Sequence, residues 1–255
     1  MAMVKVVGGI CVSVALIGAT SLGAVLLLNN GMPEYTTLSS VTSGKYVEEH
    51  KDYFVVADGD TNNDWWEWAY RNRYELMDKP ANGSKFAGIA SGAQGENSLK
   101  AKCKDVYTKD KGDINTGTTH EMNKYSEYEV WQYCSLLRKK PKTIQEANKV
   151  STYTTAGMYG KDKAANLIDP DHLDNEDFWN LKHSQFFGWS NKKGAASNGQ
   201  EATDDKSIFN KLFKTKNSTG KQIKSLCKEA YFKKESDEET PKKDVLRYCS
   251  LKGTE

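Results

Sequence analysis

Three short blocks of this chain occur twice in the same order, and that repetition limits the fold more than any other feature. Val130-Trp131-Gln132-Tyr133-Cys134-Ser135-Leu136 is matched by Val245-Leu246-Arg247-Tyr248-Cys249-Ser250-Leu251, identical at five of seven positions. Upstream, Ser98 to Tyr107 resembles Gln222 to Tyr231, each with a cysteine and a terminal tyrosine. Further up, Asp64-Trp65-Trp66 parallels Asp177-Phe178-Trp179, and Asp58 and Asp171 each stand six residues before these aspartates. Chance easily produces one such match, but not the same order of all three. The sequence therefore reads as two tandem modules, residues 32–150 and 151–255, the second a duplicate of the first. The boundary falls near Pro141 to Ser151, and residues 1–31 stand in front.

The blocks carry helical spacing. Ile223, Leu226, Cys227, Ala230 and Tyr231 follow i, i+3, i+4, i+7, i+8, one face of a helix, and Leu99, Cys103, Val106 and Tyr107 repeat that face. Thr219 with Gln222 suggests a capping box. Thr240 before Pro241 reads as an N-cap and first-turn proline, and Asp64 and Asp177 as caps of the aromatic helices. Asn82 to Asn97 and Asn191 to Thr203 read as loops, and the polar spacers Lys104 to Tyr133 and Gly194 to Gly220 as surface excursions. Val55-Val56 is the one run that suggests a strand. The expected fold is mainly α: an N-terminal transmembrane helix and two small helical modules.

Val6 to Leu28 carries no charge and is long enough, as a helix, to cross a hydrocarbon core of roughly 30 Å. Lys5 precedes it; Asn29, Asn30 and Glu34 follow, and the next cation is Lys45. The positive-inside rule then keeps the N-terminus in the cytoplasm and places the C-terminal region outside the cell. Residues 4–28 would be the membrane contact. A cleaved signal peptide is the rival reading. The apolar run is longer than the usual signal core, and no small-x-small site follows Leu28. Cys11, Ala15, Ala19 and Gly23 place small side chains on one face, which would let a second helix pack closely and the chain self-associate. Alanine- and glycine-rich anchors show such stripes without associating.

Besides Cys11, the cysteines fall one pair to each module: Cys103 with Cys134, and Cys227 with Cys249. An even count in an exported region argues for disulfides, here a helix-to-helix bridge inside each module. Each would be worth roughly 3–4 kcal/mol in the chain-entropy model. Buried free thiols are the alternative. Zinc is disfavoured, since the chain has no Cys-x-x-Cys and no histidine at ligand spacing.

Lys+Arg 36 against Asp+Glu 34 argues against nucleic acid as a partner, because displacing counterions from phosphates needs an excess of cations. His50, His120, His172 and His183 sit in no catalytic motif, and the phosphate-loop, dinucleotide and G-x-S-x-G patterns are missing. No cofactor or metal is implied. Asp58 to Asp64 resembles the opening of a calcium loop but has Asn63 and Ala69 where glycine and glutamate belong, so turn and cap use is expected. Trp65, Trp66 and Trp68 cannot all face one core. At least one should be partly exposed, a weak pointer to protein recognition.

An apolar helix, an acidic loop, a tryptophan-initiated helix ending near a tyrosine, and two cysteines, the first module's second one in Trp131-Gln132-Tyr133-Cys134, resemble a known group. It is the large paralogous families of uncharacterised membrane proteins in haemotropic mycoplasmas, wall-less bacteria that live on red blood cells. The resemblance implies no activity. It implies surface display in many variants, for antigenic variation or contact with a host-cell surface protein. The expected function is a non-catalytic surface protein, antigen or interaction module. The alternative is a membrane-tethered exported hydrolase, a nuclease or peptidase; His172 or His183 buried in a cleft facing Asp171, Asp174 or Glu176 would favour it. On the anchor reading, protease added to intact cells removes the region beyond residue 32. Digestion only after lysis would reverse the topology.

Overall fold

The computed structural model describes residues 31–77, 79–80, 82–117, 119, 121–215 and 220–254. The apolar stretch Val6 to Leu28, with Cys11, lies outside them, as do Thr219 and His120. Among the described residues, no helix is long and apolar enough to cross a membrane. The chain is mainly helical and holds two disulfides.

The principal helices are α1 (Asn63–Ala69), α2 (Leu99–Val106), α3 (Glu127–Cys134), α4 (Tyr159–Asp162), α5 (Glu176–Phe187), α6 (Ile208–Lys214), α7 (Ile223–Ala230) and α8 (Lys242–Cys249). A π-helical turn, Tyr70–Glu75, continues α1. Helix α2 begins where the Ser98 side chain accepts the Ala101 amide, and it buries Leu99, Cys103 and Val106. Helix α7 buries Ile223, Leu226, Cys227 and Ala230 on the face that their spacing describes. Cys103 is bonded to Cys134, tying α2 to α3 with Cα atoms 5.5 Å apart. Cys227 is bonded to Cys249, tying α7 to α8 at 5.6 Å.

Around each cystine the same hydrogen bonds recur. Tyr107 Oη donates to the carbonyls of Val55 (2.8 Å) and Cys134 (3.1 Å); Tyr231 Oη donates to those of Ile168 (2.9 Å) and Cys249 (3.2 Å). The amides of Val55 and Ile168 reach the same cysteine carbonyls. Trp66 Nε1 donates to the Val56 carbonyl and Trp179 Nε1 to that of Asp169. Ser135 and Ser250 return their hydroxyls to the carbonyls of Trp131 and Leu246. On the surface Lys104 pairs with Asp58 and Lys228 with Asp171.

Several details differ from the sequence expectation. Asn62 and Asn175, not Asp64 and Asp177, stand at the N-cap positions of α1 and α5, and the aspartates lie inside the first turn. An asparagine amide both donates and accepts, so Asn62 clamps Thr36 and Val56, and Asn175 clamps Lys142 and Asp169. A carboxylate can only accept. Helix α8 starts at Lys242 behind Pro241, and the Thr240 hydroxyl caps nothing. The spacer 194–220 is not all loop, because it contains α6, whose Phe209 and Leu212 are buried. The spacer 104–133 holds a short parallel pair, β1 (Ile114–Asn115) and β2 (Tyr125–Ser126). Val55 makes an isolated bridge with Thr37 instead of entering a sheet. The segment from Lys142, where the boundary was expected, pairs with the second half. Lys142 and Ile144 bond beside Leu167 and Asp169 as Thr36 and Leu38 do beside Phe54 and Val56.

The two halves share one buried core. Arg138 forks onto Asp177 with two bonds of 2.7 Å, and Tyr53 Oη donates to the Leu251 carbonyl. The Tyr53 and Phe178 rings meet with centroids 6.3 Å apart, and the Lys182 ammonium lies over both. Replacing either junction tyrosine, Tyr107→Phe or Tyr231→Phe, leaves a buried carbonyl without its hydroxyl partner. Each should cost about 1–3 kcal/mol in urea unfolding of the oxidised protein. The two costs should agree within about 1 kcal/mol, since the lost bonds are the same.

Candidate functional site

The aromatic start of α1 is mostly core. Trp65 and Trp66 are fully buried, and Trp68 is half-buried. This packing is organised by Arg73, a buried residue of the π-helical turn. Its guanidinium lies 5.5 Å from the Trp65 ring and 5.2 Å from that of Trp68. It donates to the carbonyls of Gln132, Ser135 and Leu136, the open C-terminal end of α3. Burial lowers its pKa to about 10, so it stays a cation at neutral pH. Phe186 stands seven residues after Trp179, as Arg73 does after Trp66; it is buried against Tyr248.

Next to the capped end of α3, a groove of about 280 Å³ opens where the halves meet. Met77, Tyr128 and Leu173 supply its apolar lining, and Arg138, Asp174 and Glu176 stand at its polar edge. Leu173 is 91% exposed and Tyr128 47%, with Leu76 beside Met77 at 77%. Three of the six large apolar side chains exposed among the described residues line this one groove. Its ionic edge is set by neighbours. The fork from Arg138 holds the Asp177 carboxyl below its ordinary range against the opposing effect of burial. The bond from Lys139 does the same for Asp174.

A second cavity, about 230 Å³, lies on the seam between Glu49, His50, Lys140, Thr143, Ser250 and Lys252. The His50 ring packs 5.4 Å from Trp131, and its Nδ1 has no hydrogen-bond partner among the described residues. Trp131 Nε1 donates to Tyr46 Oη, which donates to Glu127, and Lys140 pairs with the same carboxylate. Burial, then the charge of Lys140, lowers the His50 pKa to about 4, so the imidazole is neutral at physiological pH. Hydrogen bonds from Lys111 and Lys252 hold Glu49 at about 2.

The histidines singled out for hydrolytic chemistry lie elsewhere. His172 Nδ1 accepts the Asp174 amide within a 3₁₀ turn, and its ring is 3.9 Å from the Asp174 carboxylate. His183 is buried among Phe187 and Trp189 and accepts the Ile223 amide. Asp171, Asp174 and Glu176 are paired with Lys228, Lys139 and Lys224. No group of three or more His, Cys, Asp or Glu among the described residues could hold a metal ion. Sequence reasoning passed over Arg73, the groove and the His50 cavity. No protein-family model, curated protein or solved structure matches the chain.

The His50 environment has a pH consequence. The unfolded imidazole titrates near 6.5 and the folded one at about 4. Between these values the unfolded chain binds the extra proton, so stability is complete above pH 6.5 and falls as the pH drops toward 4. The loss is at most about 3 kcal/mol. Urea unfolding at pH 7 and 4.5 should show His50→Gln losing about 2 kcal/mol less than the wild type. Equal losses would place the acid sensitivity elsewhere.

Proposed function

We propose that this chain is a membrane-anchored surface protein that binds a host-cell protein through the groove lined by Met77, Tyr128 and Leu173. The single observation that carries this reading is the convergence of three exposed large apolar side chains on one groove. Large apolar side chains gathered on one exposed surface point to an interaction site, whereas singly scattered ones need no explanation. The ions at the groove's edge give a partner direction as well as contact area.

In this reading Val6 to Leu28 crosses the membrane and holds the remainder outside the cell. The remainder is two copies of one disulfide-linked helical module, supported by the recurring bonds around Cys134 and Cys249. The second copy starts near Lys142, given the pairing of that segment. The resemblance to the surface families of haemotropic mycoplasmas fits a display role and supplies the red blood cell as the surface to test.

The test uses the full chain in lipid nanodiscs and its binding to intact erythrocytes. Leu173→Glu and Met77→Glu change exposed side chains, so both proteins should keep the wild-type unfolding midpoint. Each should weaken cell binding about tenfold or more. Binding that is unchanged in both variants, or no binding by the wild type, would overturn the proposal.

A further inference from the structure

The described chain begins at Gly31, and the residues around that point form a distinct surface. Gly31 has φ +70°, a left-handed turn that suits glycine. Gly31 and Pro33 line one shallow cavity with Asp64, Trp68, Arg71 and Asn72 of the first half. On the other side, Tyr35 pairs with Lys192 of the second half. The Tyr35 amide donates to the Asn191 carbonyl, the Lys193 amide donates back to Tyr35, and Asn191 Nδ2 donates to the Met32 carbonyl. The segment from Gly31 to Tyr35 thus touches both halves. Arg71, Lys192 and Lys193 are exposed and form no ion pair among the described residues, although many other lysines here do. Trp68 is half-buried, and Asp64 is the acid that lines the same cavity.

The tether is short. Three residue steps separate Leu28 from Gly31, at most about 11 Å when fully extended. The headgroup layer adds about 5–8 Å outside each side of the hydrocarbon core. If the apolar run ends at the hydrocarbon boundary, Gly31 lies in the headgroups or within a few ångströms of them. Trp68 and Arg71, which line the cavity with Gly31 and Pro33, are then held near the same depth, and Lys192 and Lys193 follow through their backbone pairing with Tyr35. They are of the kinds that favour that zone: tryptophan, which has an apolar body and one N–H, and long basic side chains that reach phosphate.

We propose that this face, formed by Trp68 and Arg71 of one half and Lys192 and Lys193 of the other, rests in the phospholipid headgroup layer. It fixes the orientation of the exported region on the membrane. The inference rests on the anchor reading above. Both halves then contact lipid, and the domain does not swing freely on its tether.

The test uses the full chain carrying Cys11→Ser, reconstituted in phosphatidylcholine–phosphatidylserine vesicles. A fluorophore is attached at Arg71→Cys or Lys193→Cys on the proposed face, or at Lys149→Cys or Lys234→Cys elsewhere on the surface. Lipids with a spin label on the headgroup quench the fluorophore. Quenching at residues 71 and 193 should exceed that at 149 and 234 at least threefold. Equal quenching at all four positions, with the protein resisting alkaline carbonate extraction, would overturn the orientation and leave the anchor standing. Release of the protein by carbonate would remove the anchor reading, and the orientation with it.

Discussion

The structure depends on a junction in which one cysteine carbonyl is shared. In each half the last cysteine of a helix accepts a backbone amide from an extended segment and a tyrosine hydroxyl from the other disulfide-linked helix. The sulfur bridge joins the same two helices. Covalent bond, hydroxyl and ladder bond therefore converge within one residue. A helix C-terminus leaves carbonyls open, and a buried one must find donors. Here tyrosine and the extended segment supply them, and the aromatic helix closes over the result by donating its own indole N–H to that segment. Helices of seven or eight residues would be marginal alone. They persist because each is pinned at its end to the others.

The seam between the halves is built differently. Apolar contact through Tyr53 and Phe178 is combined with a bidentate arginine–carboxylate pair and an ammonium laid over two rings. Such a surface is too mixed to be an ordinary core, and it leaves two hollows, one where exposed apolar side chains meet a charged edge, the other lined by charged groups and a neutral histidine. Both hollows draw residues from each half. A single half would present neither.

What could be read from the sequence was whatever expresses itself as spacing. The faces of α2 and α7 repeat with helical period because each buries one side. The cysteines sit on those faces, so the blocks that carry them stand out. Asn62 and Asn175 were passed over for the neighbouring aspartates because a cap is a local signal, whereas their function here is to join distant segments. Helix α6 was hidden because Ile208, Phe209, Leu212 and Phe213 sit in a stretch dominated by Gly, Asn and Lys. Leu173 reads as a core residue in any pattern, yet it opens a short 3₁₀ turn and is 91% exposed. The groove and the His50 cavity combine residues about 100 or more positions apart, and no periodicity connects such residues. Arg73 gave no signal, since one arginine among aromatics and polar residues looks like a solvated charge.

Arg73 and Phe186 bear on how two such similar halves sort themselves out while folding. Both are buried after the aromatic start of a helix, yet one offers hydrogen-bond donors and the other only hydrocarbon. An exchanged pairing, with each aromatic helix set against the other half's terminal helix, would set Phe186 in the place of Arg73. It would also strand the carbonyls of Gln132 and Leu136 beside a phenyl ring. Unpaired polar groups of that kind are among the costliest defects a core can hold. At that one position, Arg73 in the first half and Phe186 in the second, the two otherwise parallel helices are not interchangeable.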